Sequence, residues 1–323
     1  MKAVVLDQKN KRALVEDRPE PVPADGEALI RVRLAGICGT DLELMAGYMD
    51  FHGVPGHEFV GRVERCDSQP FMIGKRVVGE INAGCNACPE CARDLRRHCA
   101  TRTVMGILGR DGAMATHLVL PVQNLLEVPA TLGDEHAVFA EPVAAALEVL
   151  ETAHIRPSDS VLLMGDGRLA QVTGQVLLLL GCDLTVAGRY KSKLDLLRAR
   201  GARTVMSDAV PERKWDVVIE ATGSPDGAAL ALRRCRPRGT VVLKSTVAGT
   251  AGVPIVPTVV DEIRVTGSRC GPFAPALRLL ESGRVEVAPL ISGVWPLVKA
   301  PEAFAFAQGR EVLKVLLDTT TDH

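Results

Sequence analysis

Hydrophobic and polar positions alternate along much of the first 130 residues. KAVVLD, ALIRVRLA, FVGRVE, KRVVGEI and MATHLVLP are short alternating or β-branched runs, and Gly, Pro and Asp punctuate them. That rhythm predicts a β-rich domain with long loops. From Asp134 the period lengthens, and EHAVFAEPVAAALEVLETA reads as a helix with Asp134 as its N-cap. From Asp159 strand, turn and helix repeat. VLLMG precedes a helical stretch through Leu180, LTVAG precedes KLDLLRARGA, WDVVIEA precedes AALALRRC, and TVVLKS precedes a long loop. Alternating β and α units predict a doubly wound parallel sheet. The chain ends with a helix around APALRLLESG, a Pro-rich stretch, a helix around PEAFAFAQ and a strand EVLKVLLD. The expected class is α/β, with a β-rich domain from residues 1–130 and 268–323 and a doubly wound domain from 131–267.

Composition narrows the functional classes. A chain of 323 residues is long enough for two cores. Its net charge of −1 leaves no electrostatic footprint for nucleic acid or an anionic membrane. No apolar run approaches the roughly 18 residues of a membrane span. The opening MKAVVLDQKNKRALVED lacks the apolar region and cleavage site of a signal peptide, so a cytoplasmic location is expected. In that compartment clustered cysteines bind metal more often than they form disulfides. Of the nine cysteines, Cys66, Cys182, Cys235 and Cys270 stand singly and read as small buried hydrophobes.

Cys85, Cys88, Cys91 and Cys99 form a C-x2-C-x2-C-x7-C run. Four thiolates so close in sequence can close a tetrahedron around Zn²⁺ with no open position, which describes a structural site. An iron–sulfur cluster is the nearest rival, but ferredoxin-type runs continue x3-C-P, unlike the spacing to Cys99. A second, mixed set is carried by GICGTD, with Cys38, and by GHE, with His57 and Glu58. Cysteine, histidine and a carboxylate or water suit a catalytic zinc that keeps a position for substrate.

VLLMGDGRLAQ holds Gly165-Asp166-Gly167-Arg168-Leu169-Ala170, a G-x-G-x-x-A turn after a strand and opening a helix. Gly165 permits the tight turn, and Gly167 lets backbone N–H groups approach a pyrophosphate at the helix N-terminus. Strand ends that bind NAD usually carry an acid for the ribose hydroxyls. Here LTVAGR places Gly188 at that position, followed by Arg189, Lys191 and Lys193. A missing carboxylate and an added guanidinium predict NADP(H), with NAD(H) as the alternative.

These motifs, in this order and nearly this spacing, give the whole chain a resemblance to the zinc-containing medium-chain alcohol and polyol dehydrogenase family, of threonine and sorbitol dehydrogenase type. GICGTD, GHEFVGRV, the four-cysteine run, AEPVAAAL and the glycine-rich turn carry it. The resemblance implies a GroES-like catalytic domain, a Rossmann domain, one catalytic and one structural zinc, and hydride transfer between an alcohol or polyol and a nicotinamide cofactor. It implies that Cys38 and His57 bind the catalytic metal. Polyol-type members carry a glutamate before a proline where alcohol-type members have a third cysteine, and Glu141-Pro142 matches the polyol pattern. Glu58 and Glu141 are therefore both candidate ligands, exchanging or sharing the site with water. Thr40 matches the hydroxyl that relays the substrate proton. Glu43 stands where many members have a relay histidine, so it takes that role or the exit path differs. Arg269, in Arg269-Cys270-Gly271, matches a loop beside the cofactor. A homodimer or homotetramer is implied as well. Two other classes share these features, a zinc-stabilised binding or regulatory protein without catalysis, and an enzyme that uses bound cofactor transiently for elimination or epimerisation.

Overall fold

The eleven-residue strand Glu27–Ile37 organises the first half of the chain. A computed structural model describes residues 1–246 and 252–321. Contacts divide the chain into two compact units, Met1–Glu141 with Phe273–Glu281 and Leu290–His323, and Pro142–Pro272 with Ser282–Pro289.

In the first unit a seven-stranded sheet runs in the order Leu125–Glu127, Arg76–Gly79, Glu58–Arg65, Glu27–Ile37, Lys314–Asp318, Ile291–Pro296, with His117–Pro121 also paired to Glu27–Ile37. Ile30, Val32, Val60, Val63, Val77, Leu118 and Leu120 from these strands are buried. Each such side chain contributes about 1.5–3 kcal/mol on leaving water. The register matters for the site. Gly36 pairs with Glu58 on one side and with Leu316 on the other, which brings the end of the chain against the GHE segment.

The second unit is built on a six-stranded, all-parallel sheet ordered Arg203–Met206, Asp183–Gly188, Ser160–Met164, Trp215–Glu220, Cys235–Leu243, Arg264–Gly267. Strand side chains alternate between two cores, as the pleat requires. Val161, Leu163, Val186 and Ile219 pack with Ala170, Leu177, Leu194 and Leu197 of the helices on one face. Leu162, Met164, Val218 and Val241 pack with Ala231, Leu232 and Trp215 on the other. The crossover from Ser160–Met164 to Asp183–Gly188 passes through the helix Arg168–Leu178, so the glycine-rich turn sits at the carboxyl end of a central strand.

One expected element differs. The helix read from Asp134 is two helices, Asp134–Ala137 and Ala140–Thr152, and Gly133 rather than Asp134 is the N-cap. Pro142 explains the break. A proline inside a continuous helix would clash with the carbonyl four residues back, whereas the first turn of a new helix accepts it. Asp134 is instead held by Arg33 at 2.5 Å and Arg76 at 2.8 Å. The long loop expected after TVVLKS includes residues 247–251, which lie outside the described residues.

Candidate active site

Cys38 leaves the end of Glu27–Ile37 and caps the short helix Gly39–Met45. Asp41, on the first turn of that helix, is fully buried and ties two sequence motifs together. Its Oδ2 accepts from the Cys38 N–H at 2.8 Å, and its Oδ1 accepts from the Gly56 N–H at 3.2 Å. The same Oδ1 stands 3.5 Å from Nδ1 of His57. That nitrogen is buried and lacks a hydrogen bond of normal length. Asp41 thus orients the ring and leaves Nε2 available to a metal.

The candidate ligand atoms of Cys38, His57 and Glu58 lie within 4.8 Å of one another. Burial pulls the His57 pKa down, but the charges of Asp41 and Cys38 outweigh it and raise it well above its ordinary value. Surroundings that favour a proton on a buried imidazole also favour a cation. The donor set of thiolate, imidazole and carboxylate fits Zn²⁺. Glu141 stands outside this 4.8 Å cluster, half-buried on the first turn of Ala140–Thr152.

Glu58 has a partner that the sequence reading missed. Oε2 accepts from Nζ of Lys314, with both side chains 2% exposed. The Lys314 ammonium also lies 3.5 Å from the Ile37 carbonyl and 5.8 Å from the Phe139 ring centroid. The carboxylate occupies the space a side chain at position 36 would need, so Gly36 is the residue that admits it. A lone lysine inside the apolar run VLKVLLD was the available signal.

Thr40 is half-buried and Glu43 is exposed, three positions apart on Gly39–Met45 and hence on one helix face. Cys85, Cys88, Cys91 and Cys99 converge separately, with sulfurs within 4.8 Å of one another. A hydrogen bond with the Thr101 hydroxyl, then the Cys85 N–H, holds the Cys99 pKa at about 6. Against the lowering pull of the Cys91 N–H, burial and the facing sulfurs of Cys91, Cys85 and Cys99 push Cys88 up to about 12. Four converging sulfurs suit a divalent cation, which binds thiolates and drives their deprotonation.

In the second unit, Gly165 has φ +125°, and a Cβ there would run into the Ala221 carbonyl oxygen. Gly167 caps the helix Arg168–Leu178, and a Cβ on it would meet nothing within 4 Å. That open space above a helix N-terminus fits a pyrophosphate. Ala170 is buried against the sheet. Arg189 and Lys191 are exposed at the end of Asp183–Gly188, while Lys193 is buried with Nζ 4.9 Å from the Tyr190 ring centroid. Arg269 is exposed, and its carbonyl is held at 3.2 Å by Nζ of buried Lys244, which also donates to the Ala145 carbonyl at 2.7 Å. Glu220 braces the neighbouring turn by accepting from the Thr222 N–H at 2.7 Å and the Ser245 hydroxyl at 3.0 Å.

Comparison with known proteins agrees with this anatomy. Residues 24–130 match the alcohol dehydrogenase GroES-like domain, and residues 169–282 match the zinc-binding dehydrogenase family. The erythritol/L-threitol dehydrogenase of Mycolicibacterium smegmatis is 30% identical, over 98% of this chain and 97% of its own. Among solved structures, the RspB alcohol dehydrogenase of Escherichia coli CFT073, complexed with NADH, superposes with a TM-score of 0.91 at 25% identity, covering 98% of this chain and 99% of its own. A zinc-binding dehydrogenase of Sinorhizobium meliloti 1021, bound to NADP, superposes with a TM-score of 0.88 at 28% identity, covering 98% of each chain. Among the described residues no helix is long and apolar enough to cross a membrane. The chain belongs to the zinc-type medium-chain dehydrogenase/reductase family related to polyol and sugar-alcohol dehydrogenases, and is an NAD(P)-dependent oxidoreductase of that family.

Proposed function

We propose that this enzyme oxidises a secondary alcohol of a small polyol to its ketone, reversibly, with Cys38 and His57 holding the catalytic zinc. The clustering of Cys38, His57 and Glu58 within 4.8 Å carries the reading. Similarity to an erythritol/L-threitol dehydrogenase supports the substrate class. When bound, zinc supplies a Lewis acid for the alcohol oxygen and the nicotinamide supplies the hydride acceptor. The protein's own residues do the rest. Asp41 fixes the His57 ring, and the Lys314 ammonium holds the Glu58 carboxylate beside it. The Thr40 hydroxyl takes the alcohol proton and passes it along its helix face toward exposed Glu43 and solvent. On the polyol pattern Glu141, outside the Cys38–His57–Glu58 cluster, would be a further candidate carboxylate for the metal. The four sulfurs of the cysteine knot would hold a second, structural zinc. Gly165 and Gly167 seat the pyrophosphate, and Arg269 lies on the loop beside the cofactor. The assembly is a homodimer or homotetramer.

Metal analysis of the purified chain, combined with NAD and NADP reduction across a panel of polyols and simple alcohols, tests this. Two zinc ions per chain and turnover of polyols are expected. One zinc or none overturns the two-site reading, and turnover confined to simple alcohols overturns the substrate class.

A further inference from the structure

The strand end that lacks an acid in sequence does not lack one in space. Gly188 closes the strand Asp183–Gly188 at the position where a carboxylate would receive the adenosine ribose hydroxyls. A Cβ built on Gly188 would lie 2.6 Å from both Cβ and Oδ2 of Asp166 and 2.8 Å from its Cγ. The carboxylate of Asp166 therefore fills the volume that a side chain at 188 would enter.

It is also firmly held there. Oδ2 accepts from the Arg189 N–H at 2.6 Å and from the Tyr190 N–H at 2.7 Å. The Asp166 backbone carbonyl accepts from Nε2 of buried Gln171 at 3.2 Å, and the same amide donates to the Lys193 carbonyl at 2.9 Å. The glycine-rich turn, the strand end and the start of the helix Lys191–Ala199 are thus locked to one another around this side chain. Both backbone bonds fall on Oδ2, and Oδ1 takes no hydrogen bond from the described residues.

Resting on the reading that this unit binds a nicotinamide dinucleotide, we propose that Asp166 is the residue that sets cofactor choice, and that it selects NAD(H) over NADP(H). Its position gives three reasons. A carboxylate with a free oxygen at this strand end accepts from a ribose hydroxyl. The same charge repels a 2′-phosphate, which carries close to two negative charges at neutral pH. The N–H groups of Arg189 and Tyr190, which a phosphate at this strand end could otherwise recruit, are already taken. Exposed Arg189 and Lys191 oppose this from solvent, where their attraction is screened, whereas Asp166 acts from a buried position. On this proposal a residue from another segment outweighs Gly188 and Arg189, from which NADP(H) is expected with NAD(H) as the alternative. The exchange is also reciprocal. With Asp166 in place, position 188 has no room for a side chain, so glycine there accompanies the acid in the turn rather than marking its loss.

The test is direct titration of the zinc-loaded enzyme with NADH and with NADPH, followed by nicotinamide fluorescence, which needs no turnover. The wild-type Kd for NADH is expected to be the lower by at least roughly tenfold. D166N keeps an oxygen for the two N–H groups and removes the charge, and should shrink the ratio roughly tenfold, mainly by improving NADPH. D166G/G188D returns the acid to the strand end and should restore the NADH preference; it carries the test if D166N does not fold. Tighter NADPH binding by the wild type, or an unchanged ratio in a folded D166N, overturns the assignment while leaving the dehydrogenase reading intact. Failure of both nucleotides to bind overturns the assignment and the cofactor reading together.

Discussion

The buried ammonium of Lys314 neutralises the buried carboxylate of Glu58, joining residues 256 positions apart at the floor of the candidate zinc site. The two cannot be judged singly. An ion pair taken out of water is a weak source of stability, but breaking it by removing one partner leaves a stranded charge. Lys314→Met should therefore cost about 3–5 kcal/mol. The double variant Lys314→Met/Glu58→Leu should recover most of that loss. Urea unfolding of the metal-free chain, of the single variants Lys314→Met and Glu58→Leu, and of the double variant measures the coupling. Additive single losses would show that the pair does not act as a unit.

The cysteine knot predicts a different loss. Its sulfurs belong to residues 85–99, away from the Cys38 motif in sequence, and they form a separate cluster. Cys99→Ser removes a thiol whose pKa is held down at about 6. It should lower the zinc content from two per chain to one and destabilise the first unit by at least ~3 kcal/mol. The remaining zinc should stay with Cys38 and His57. Metal analysis and a thermal melt of the variant check both parts, and an unchanged zinc count would remove the knot from the metal inventory.

Much of this was legible because it is local. The period-two runs became strands, and the βα rhythm became a parallel sheet, since pleat and helix period are written in adjacent residues. The C-x2-C turns and the G-x-G-x-x-A turn are likewise short, and each positions its atoms within a few residues. What escaped was set by pairing across the chain. Lys314 reaches Glu58 because Lys314–Asp318 pairs with Glu27–Ile37, a register no local pattern encodes. Asp166 reaches the backbone of Arg189 and Tyr190 because two parallel strands end side by side. In sequence Asp166 was only the second residue of the glycine-rich turn, and Gly188 read as a missing acid that favours NADP(H). The break before Ala140–Thr152 was readable from Pro142, but the apolar periodicity on both sides concealed it.

Thr40 gives a kinetic prediction. Its hydroxyl sits two residues after Cys38, on the helix face that leads to Glu43. Thr40→Ala should lower kcat by roughly 10²–10⁴ while zinc content and nucleotide affinity hold. Thr40→Ser should retain most activity, because the hydroxyl rather than the methyl moves the proton. Glu43→Gln should matter less, since an exposed relay can be replaced by water. Steady-state kinetics with metal analysis of each variant tests the order. Equal losses in Thr40→Ala and Thr40→Ser would assign Thr40 to packing.

Asp216 supplies a pH signature in the second unit. Burial pushes its carboxyl up, but hydrogen bonds from the Ser160 hydroxyl at 2.7 Å and N–H at 2.9 Å, then from Arg236, prevail and hold its pKa at about 2. Since the folded value is depressed below the ordinary 3.8, the stabilisation is fully present above about pH 4 and is lost as pH falls through about 2. Most of it rests on Ser160, because the Arg236 side chain is 47% exposed and its charge is screened. Asp216→Asn should thus cost about 1–2 kcal/mol at pH 7, loosening the pairing of Ser160–Met164 with Trp215–Glu220. The gap between wild type and variant should narrow below pH 4 and close near pH 2. Urea midpoints across that range decide the matter, and a gap that stays constant with pH would mean the carboxylate's charge is not what the Ser160 bonds recognise.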